Sequence, residues 1–238
     1  MIRVGRRLYS GNTFTDPSFE NFTPIICLTA KTEYGSLSPY DLWDEDEDGK
    51  KCMENIWQFS KVYRHVPKSK QKENRWSDKV IWEHPEEVHW RDNELTPEYW
   101  AWREKGMRCP YPVRYPVGFA SRSDCLFSMW EDKRLNYISA RKAIYLPLYL
   151  KLVVAKPQFD ELRQRLAAGE NLLIIEVDGP HQESLPYYKE RYKVADNFIE
   201  NSTVLATQEN LQLLLNDAKH PFGHGYCLAA ALLGLELK

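Results

Sequence analysis

The sequence lacks most of the features that assign a protein quickly. Its longest uncharged apolar stretch near the end of the chain, residues 227–235, is nine residues, against the roughly 20 a membrane helix needs. The opening MIRVGRRLYSGNTF carries positive charge but no apolar core, so it does not read as a secretory signal. There is no CxxC pair; the five cysteines, at 27, 52, 109, 125 and 227, are odd in number and scattered. That excludes a disulfide framework and predicts reduced thiols in a cytoplasmic compartment. Neither charge sign dominates: 32 basic against 34 acidic residues leave a net charge of −2, a poor basis for coating nucleic acid or anionic membrane. Internal repeats are absent. So are a GxGxxG, a Walker loop and a GxSxG, which leaves dinucleotide-fold, P-loop and serine-hydrolase chemistry unsupported.

What the chain does have is aromatic surface, with 8 Trp and 14 Tyr among 238 residues. Such side chains build either an aromatic core or a pocket that stacks planar rings. A short apolar run at 25–29 predicts a buried strand, and 172–177 is a second candidate, although its leucines would also suit a helix. Helices are expected at 53–64, 97–105 (Thr96 as N-cap, Pro97 in the first turn), 136–155 (kinked by Pro147), 156–168 (stopped by Gly169), 209–215 and 226–237, with a loop over 216–225. Residues 67–116 are polar and proline-punctuated and hold five Trp (76, 82, 90, 100, 102), which predicts an insertion.

One segment carries chemistry. On a helical wheel with Glu54 at the origin, Gln58 falls near 40° and Lys61 near −20°, flanked by Trp57 and Val62, with Ile56, Phe59 and Tyr63 behind. A narrow polar stripe walled by apolar residues fits a buried helix that turns a carboxylate, an amide and an amine into a cavity. It equally fits a surface pair with an amide between. Burial would favour a neutral lysine amine, a nucleophile suited to a carbonyl or an anomeric carbon, with the carboxylate moving protons.

The stretch YGSLSPYDL at 34–42, followed by DGKKCMENIWQFSKVY at 48–63, resembles the opening of the NADAR/YbiA-like family. That family shows a strand, a YG–x–(L/F)–SNFYP loop, a DG turn and a helix of the form E–H–x–x–Q–x–x–K. Glu54, Gln58 and Lys61 match the helix, and Ser38 and Tyr40 match the loop. AKPQFDELRQRLAAGENLLIIEVD at 155–178 is similar to the family's KF–x–Q–N–P–x–L–x–x–x–LL–x–T–G–x–x–x–LVE segment, with Glu176 on the Glu. NDAKHPFGHG at 216–225 resembles its D–x–x–WG–x–G loop, with Phe222 on the Trp and Gly223 and Gly225 on the glycines. Pro39 replaces an Asn, and His224 stands where Asp is common.

The resemblance implies a single α+β domain over 1–238, mainly α with a small β element, carrying the Trp-rich insertion at 67–116. It implies an N-glycosidase acting on ribosylated or ADP-ribosylated conjugates, such as ADP-ribosyl-guanine or a riboflavin-pathway intermediate, without cofactor or metal. Lys61 would be the nucleophile and Glu54 the general acid/base; Ser38, Tyr40, Trp57, Gln58, Glu176, Phe222, Gly223 and His224 would contact the substrate. Two other readings stay open. One is a silent module that binds ADP-ribose or a nucleotide, favoured by the replaced Trp and Asp. The other is a structural or interaction protein whose insertion is the working surface.

Further motifs have bland alternatives. His220 and His224 have metal-ligand spacing for a helix, but Pro221 and Gly223 between them oppose one. Asp44, Asp46, Asp48 and Gly49 imitate a calcium loop, yet its twelfth position is Asn55. His181 follows a predicted strand end. Arg114 and Arg122 have forks that suit phosphate. The basic run at 68–79 with its Trp residues makes nucleic acid a candidate partner, although charge runs are usually solvated faces.

Overall fold

The computed structural model describes residues 1–29, 31–47 and 49–238. The protein is a mixed α/β chain that divides into two compact units, one formed by residues 1–41 and 146–238, the other by residues 42–145. The strand content exceeds the small β element expected, and the 67–116 segment lies within the second unit.

The first unit is built on a four-stranded sheet in the order Thr203–Leu205, Ile2–Arg6, Leu172–Glu176, Thr23–Ile26. Leu172–Glu176 runs parallel to both Ile2–Arg6 and Thr23–Ile26, while Thr203–Leu205 is antiparallel to Ile2–Arg6. All five residues of the central strand are buried, which is why LLIIE reads as an unbroken apolar run. The strand expected at 25–29 begins two residues earlier and includes Pro24, tolerated because this strand lies at the sheet edge. The apolar helix expected at 226–237 is His224–Leu233, so His224 and Gly225 belong to its first turn rather than to a loop. It ends at Gly234, whose positive φ of 64° suits a residue without Cβ. This helix packs on Ile2–Arg6 and Leu172–Glu176 through a buried stretch that includes Ala229 and Ala230. Pro157–Ala167 and Gln208–Asn216 form as the sequence predicts, the second with the Thr207 hydroxyl accepting the Asn210 N–H.

The second unit is a set of hairpins with two longer helices, Met53–Phe59 and Pro97–Met107. Met53–Phe59 is helical, but the helix expected to reach residue 64 stops at Ser60, and Lys61–Tyr63 is a strand antiparallel to Cys125–Trp130. The Ser60 hydroxyl turns back to the Trp57 carbonyl (2.9 Å), while the Ser60 carbonyl accepts the Met129 N–H (2.7 Å) and the Tyr99 hydroxyl (3.2 Å). With that carbonyl taken, Val62 and Tyr63 are buried in a β strand instead of a third helical turn. The region expected as one kinked helix is α over Tyr137–Ala140, π over Arg141–Tyr145 and α again over Leu146–Val153. Pro147 falls in the first turn of the last piece.

The insertion's Trp residues divide. Trp82, Trp90 and Trp102 are buried, whereas Trp76 and Trp100 are exposed. Phe59 sits edge-on to Trp82 and tilted against Trp102, with ring centroids 4.7 and 4.6 Å away. Helix Pro97–Met107, capped by Thr96 as expected, reaches this cluster through Gly106, where an added Cβ would lie 2.0 Å from the Phe59 ring. Gly106→Ala is therefore expected to force the two helices apart and destabilise the second unit by about 2–3 kcal/mol. Urea unfolding followed by Trp fluorescence checks this; an unchanged midpoint would show that Phe59 moves freely.

Among the described residues, no helix is long and apolar enough to cross a membrane. No disulfide forms among the described residues, and four of the five cysteines are buried.

Candidate functional site

The second unit brings Glu54, Trp57, Gln58 and Lys61 together. Glu54 stands in the first turn of its helix and is buried, 7% exposed. Gln58, one turn on, donates its amide N–H to Glu54 Oε1 at 2.8 Å. Its other end, Oε1, accepts from Lys61 Nζ at 2.8 Å. Lys61 reaches this position from the strand that follows the helix, so the wheel position assumed for it does not apply, yet its amine still joins the stripe. The amine also lies 5.0 Å from the centre of the Trp57 ring, and Trp57 meets Tyr145 edge-on at 5.1 Å. One amide thus orders a carboxylate and an amine in a line, each through its complementary end. Lys61 is also close enough to Cys125 that its charge opposes the upward pull of burial on that thiol.

Asn55, the twelfth position of the calcium-loop imitation, is committed elsewhere. Fully buried, it donates to the carbonyls of Cys109 (3.0 Å) and Tyr111 (2.9 Å) and accepts the Val113 N–H (2.8 Å). Asp44 lies in a hairpin strand, Trp43–Asp46, paired with Gly49–Cys52, and Asp48 lies outside the described residues. Asn55→Ala strips three backbone groups of the 109–113 loop of their partners and is expected to cost about 3 kcal/mol. Chemical denaturation measures it, and a cost under about 1 kcal/mol would mean that water replaces the amide.

The first unit holds the other candidates. Glu176, 0% exposed, uses both oxygens internally. Oε1 accepts the N–H groups of Val177 (2.7 Å) and Asp178 (3.3 Å); Oε2 accepts the Gly225 N–H (2.6 Å) and faces His224 Nδ1 at 3.2 Å. It caps the N-terminus of helix His224–Leu233, where a negative charge is favoured. A Cβ on Gly223 would lie 2.5 Å from the Glu176 carboxyl, so only glycine admits this approach. The other His224 nitrogen, Nε2, lies 3.0 Å from the Cys27 carbonyl and 3.5 Å from its thiol. Phe222 is buried and stacks on Tyr226 with centroids 5.2 Å apart. Ser38 is buried, with its hydroxyl 3.4 Å from both the Leu28 carbonyl and the Tyr40 N–H. Tyr40 is half-buried.

His220 and His224 belong to separate clusters. His220 Nδ1 lies 2.7 Å from Asp217 Oδ2, and that buried carboxylate also accepts from the hydroxyls of Tyr187 and Tyr188 at 2.7 Å and of Tyr192 at 3.2 Å. Burial would raise the Asp217 carboxyl, but these donors outweigh it and hold it at about 2. Sequence reading passed over Asp217, because its partners come from helix Leu185–Tyr192, far away in the chain. Among the described residues, no group of three or more His, Cys, Asp and Glu is placed to hold a metal ion.

In the basic run, Lys70, Lys72 and Lys79 pair with Glu83, Asp78 and Glu73, while Arg75 lies over the exposed Trp76 ring at 4.4 Å. Arg114 and Arg122 lie over Tyr115 and Phe119. No family model, curated protein or solved structure matches the chain.

Proposed function

We propose that the protein is an N-glycosidase acting on a ribosylated or ADP-ribosylated conjugate, with Lys61 as nucleophile and Glu54 as proton donor. The observation that supports this reading most is the hydrogen-bonded line Glu54–Gln58–Lys61, a buried carboxylate and an amine ordered by one amide. Such a pair has two states of equal net charge, carboxylate with ammonium and carboxylic acid with amine. The second is the reactive one. The Lys61 amine bonds to C1 of the ribose as the bond from C1 to the base nitrogen breaks, and Glu54 protonates the departing base. The lysine nitrogen then returns one proton to the Glu54 carboxylate and passes a second to the ring oxygen as the bond from C1 to that oxygen breaks, giving an open-chain imine; water adds at C1, releases the ribose or ADP-ribose and restores the amine. Trp57, beside the Lys61 amine, offers an aromatic wall for sugar or base.

The test is incubation with ADP-ribosylated guanosine and with ribosylated riboflavin-pathway intermediates, followed by chromatography for released base. Borohydride should trap a sugar on Lys61, located by peptide mass spectrometry. Tight binding of these compounds without release of base would instead identify a silent binding module.

A further inference from the structure

The parallel strands Ile2–Arg6 and Leu172–Glu176 end level, with Arg6 opposite Glu176. The space beyond the carboxyl ends of parallel strands is where open α/β sheets bind ligands. Three arginines lie on or directly after the first strand, and two have carboxylate partners: Arg3 with Glu200 (3.0 Å) and Arg7 with Asp16 (2.5 Å). Arg6 has none among the described residues. Its Nη1 donates to the Gly179 carbonyl at 2.6 Å, and its Nε is buried with no hydrogen-bond partner.

Two residues past Gly179, His181 Nδ1 is likewise buried and unpartnered. Burial first, and the Arg6 charge second, hold this imidazole below its ordinary value. Gly179 has φ +109°, and a Cβ there would lie 2.0 Å from the Tyr226 hydroxyl, which therefore sits directly against this loop. Burial keeps Tyr226 in its phenol form, a hydroxyl donor. The neighbouring carboxylate of Glu176 is fully engaged with His224 and backbone N–H groups. A guanidinium with no carboxylate in ion-pair distance among the described residues, its own buried Nε and the buried His181 Nδ1 both lacking a hydrogen-bond partner, asks for an acceptor of negative charge, even with the Asp178 carboxylate near Tyr226.

We propose that Arg6, His181 and Tyr226 form a phosphate-binding subsite at the carboxyl end of the sheet, one that takes a phosphate or diphosphate group of a ligand. The chemistry is that of a charge-assisted donor set: a guanidinium edge, an imidazole N–H and a phenol O–H converging on non-bridging oxygens. The subsite does not depend on the glycosidase reading, since none of its residues takes part in bond cleavage there.

Calorimetry with inorganic pyrophosphate tests it, at pH 7.5 and pH 6.0. The wild type should bind, and more tightly at pH 6.0, because a bound anion favours protonated His181; Arg6, Glu183 and His220 are the charged and titratable groups that face it. Arg6→Gln should weaken binding by about tenfold or more. Tyr226→Phe, which keeps the ring stack, should weaken it several-fold, and His181→Gln should abolish the gain at pH 6.0. Lys61→Ala should bind pyrophosphate like the wild type, so a failed glycosidase assay would leave this result standing. Absence of binding by the wild type, or unchanged binding in both Arg6→Gln and Tyr226→Phe, would overturn the proposal and leave a bridging water as the partner of these atoms.

Discussion

Lys61→Ala should lower the release of base from a ribosylated conjugate by about a thousandfold or more, because it removes the group that forms the bond to C1. Glu54→Gln should lower it by about 10²–10⁴-fold, the usual worth of a positioned proton donor. The two losses should not add, since each variant disables the same step. Gln58→Ala separates a mechanistic line from a merely structural one. It leaves both reacting groups in place but removes the amide that holds them in line, so turnover should fall by about tenfold while substrate binding is kept. A structural line predicts instead that all three variants melt early and turn over normally once folded. Melting temperatures, base release and borohydride adducts, measured on the same preparations, distinguish the two. Full turnover by Lys61→Ala on every substrate the wild type cleaves would sink the mechanism.

The parts of the fold legible in the sequence are those fixed by neighbours along the chain. Thr96 followed by Pro97 announces a helix start, Gly169 a helix stop, and LLIIE a strand covered on both faces, and each stands where expected. The Glu54–Gln58 pair is legible for the same reason, since four residues make one helical turn. Lys61 shows the limit. Nothing local tells that Ser60 will give its carbonyl to Met129 and Tyr99 and so end the helix, because both partners lie far down the chain. The strand Ile2–Arg6 was missed because its arginines break the apolar pattern. Arg3 is nonetheless buried, its Nε bonded to Thr203 at 2.7 Å and its charge met by Glu200. Asn55, Asp217 and Arg6 are invisible in sequence for a common reason: their partners are brought to them only by the completed fold.

Glu176→Gln should destabilise the first unit by about 3–5 kcal/mol, the cost of breaking a buried ion pair by removing one partner. His224 is 7% exposed, and each ring nitrogen faces an acceptor, Glu176 on one side and the Cys27 carbonyl on the other. That arrangement fits an imidazolium with two N–H donors. Burial alone would lower its proton affinity, but Glu176 outweighs burial, with Cys27 assisting, and raises it to about 10. An unfolded histidine titrates near 6.5. The native pair therefore contributes its full stability below about pH 6.5 and loses it progressively as the pH rises from there toward 10. Glutamine removes the counter-charge, and its NH₂ also presents a donor to N–H groups that now find an oxygen, at Gly225 or at Val177. The variant should thus be less stable at pH 6 and should lack the wild type's decline between pH 7 and 10. His224→Leu combined with Glu176→Gln should recover part of the loss, since a buried ion pair can be replaced by apolar packing more cheaply than it can be halved. Urea unfolding of the four proteins at pH 6, 8 and 10 gives the coupling energy directly. Equal stability of wild type and Glu176→Gln at pH 6 would mean that His224 is held by the Cys27 carbonyl alone.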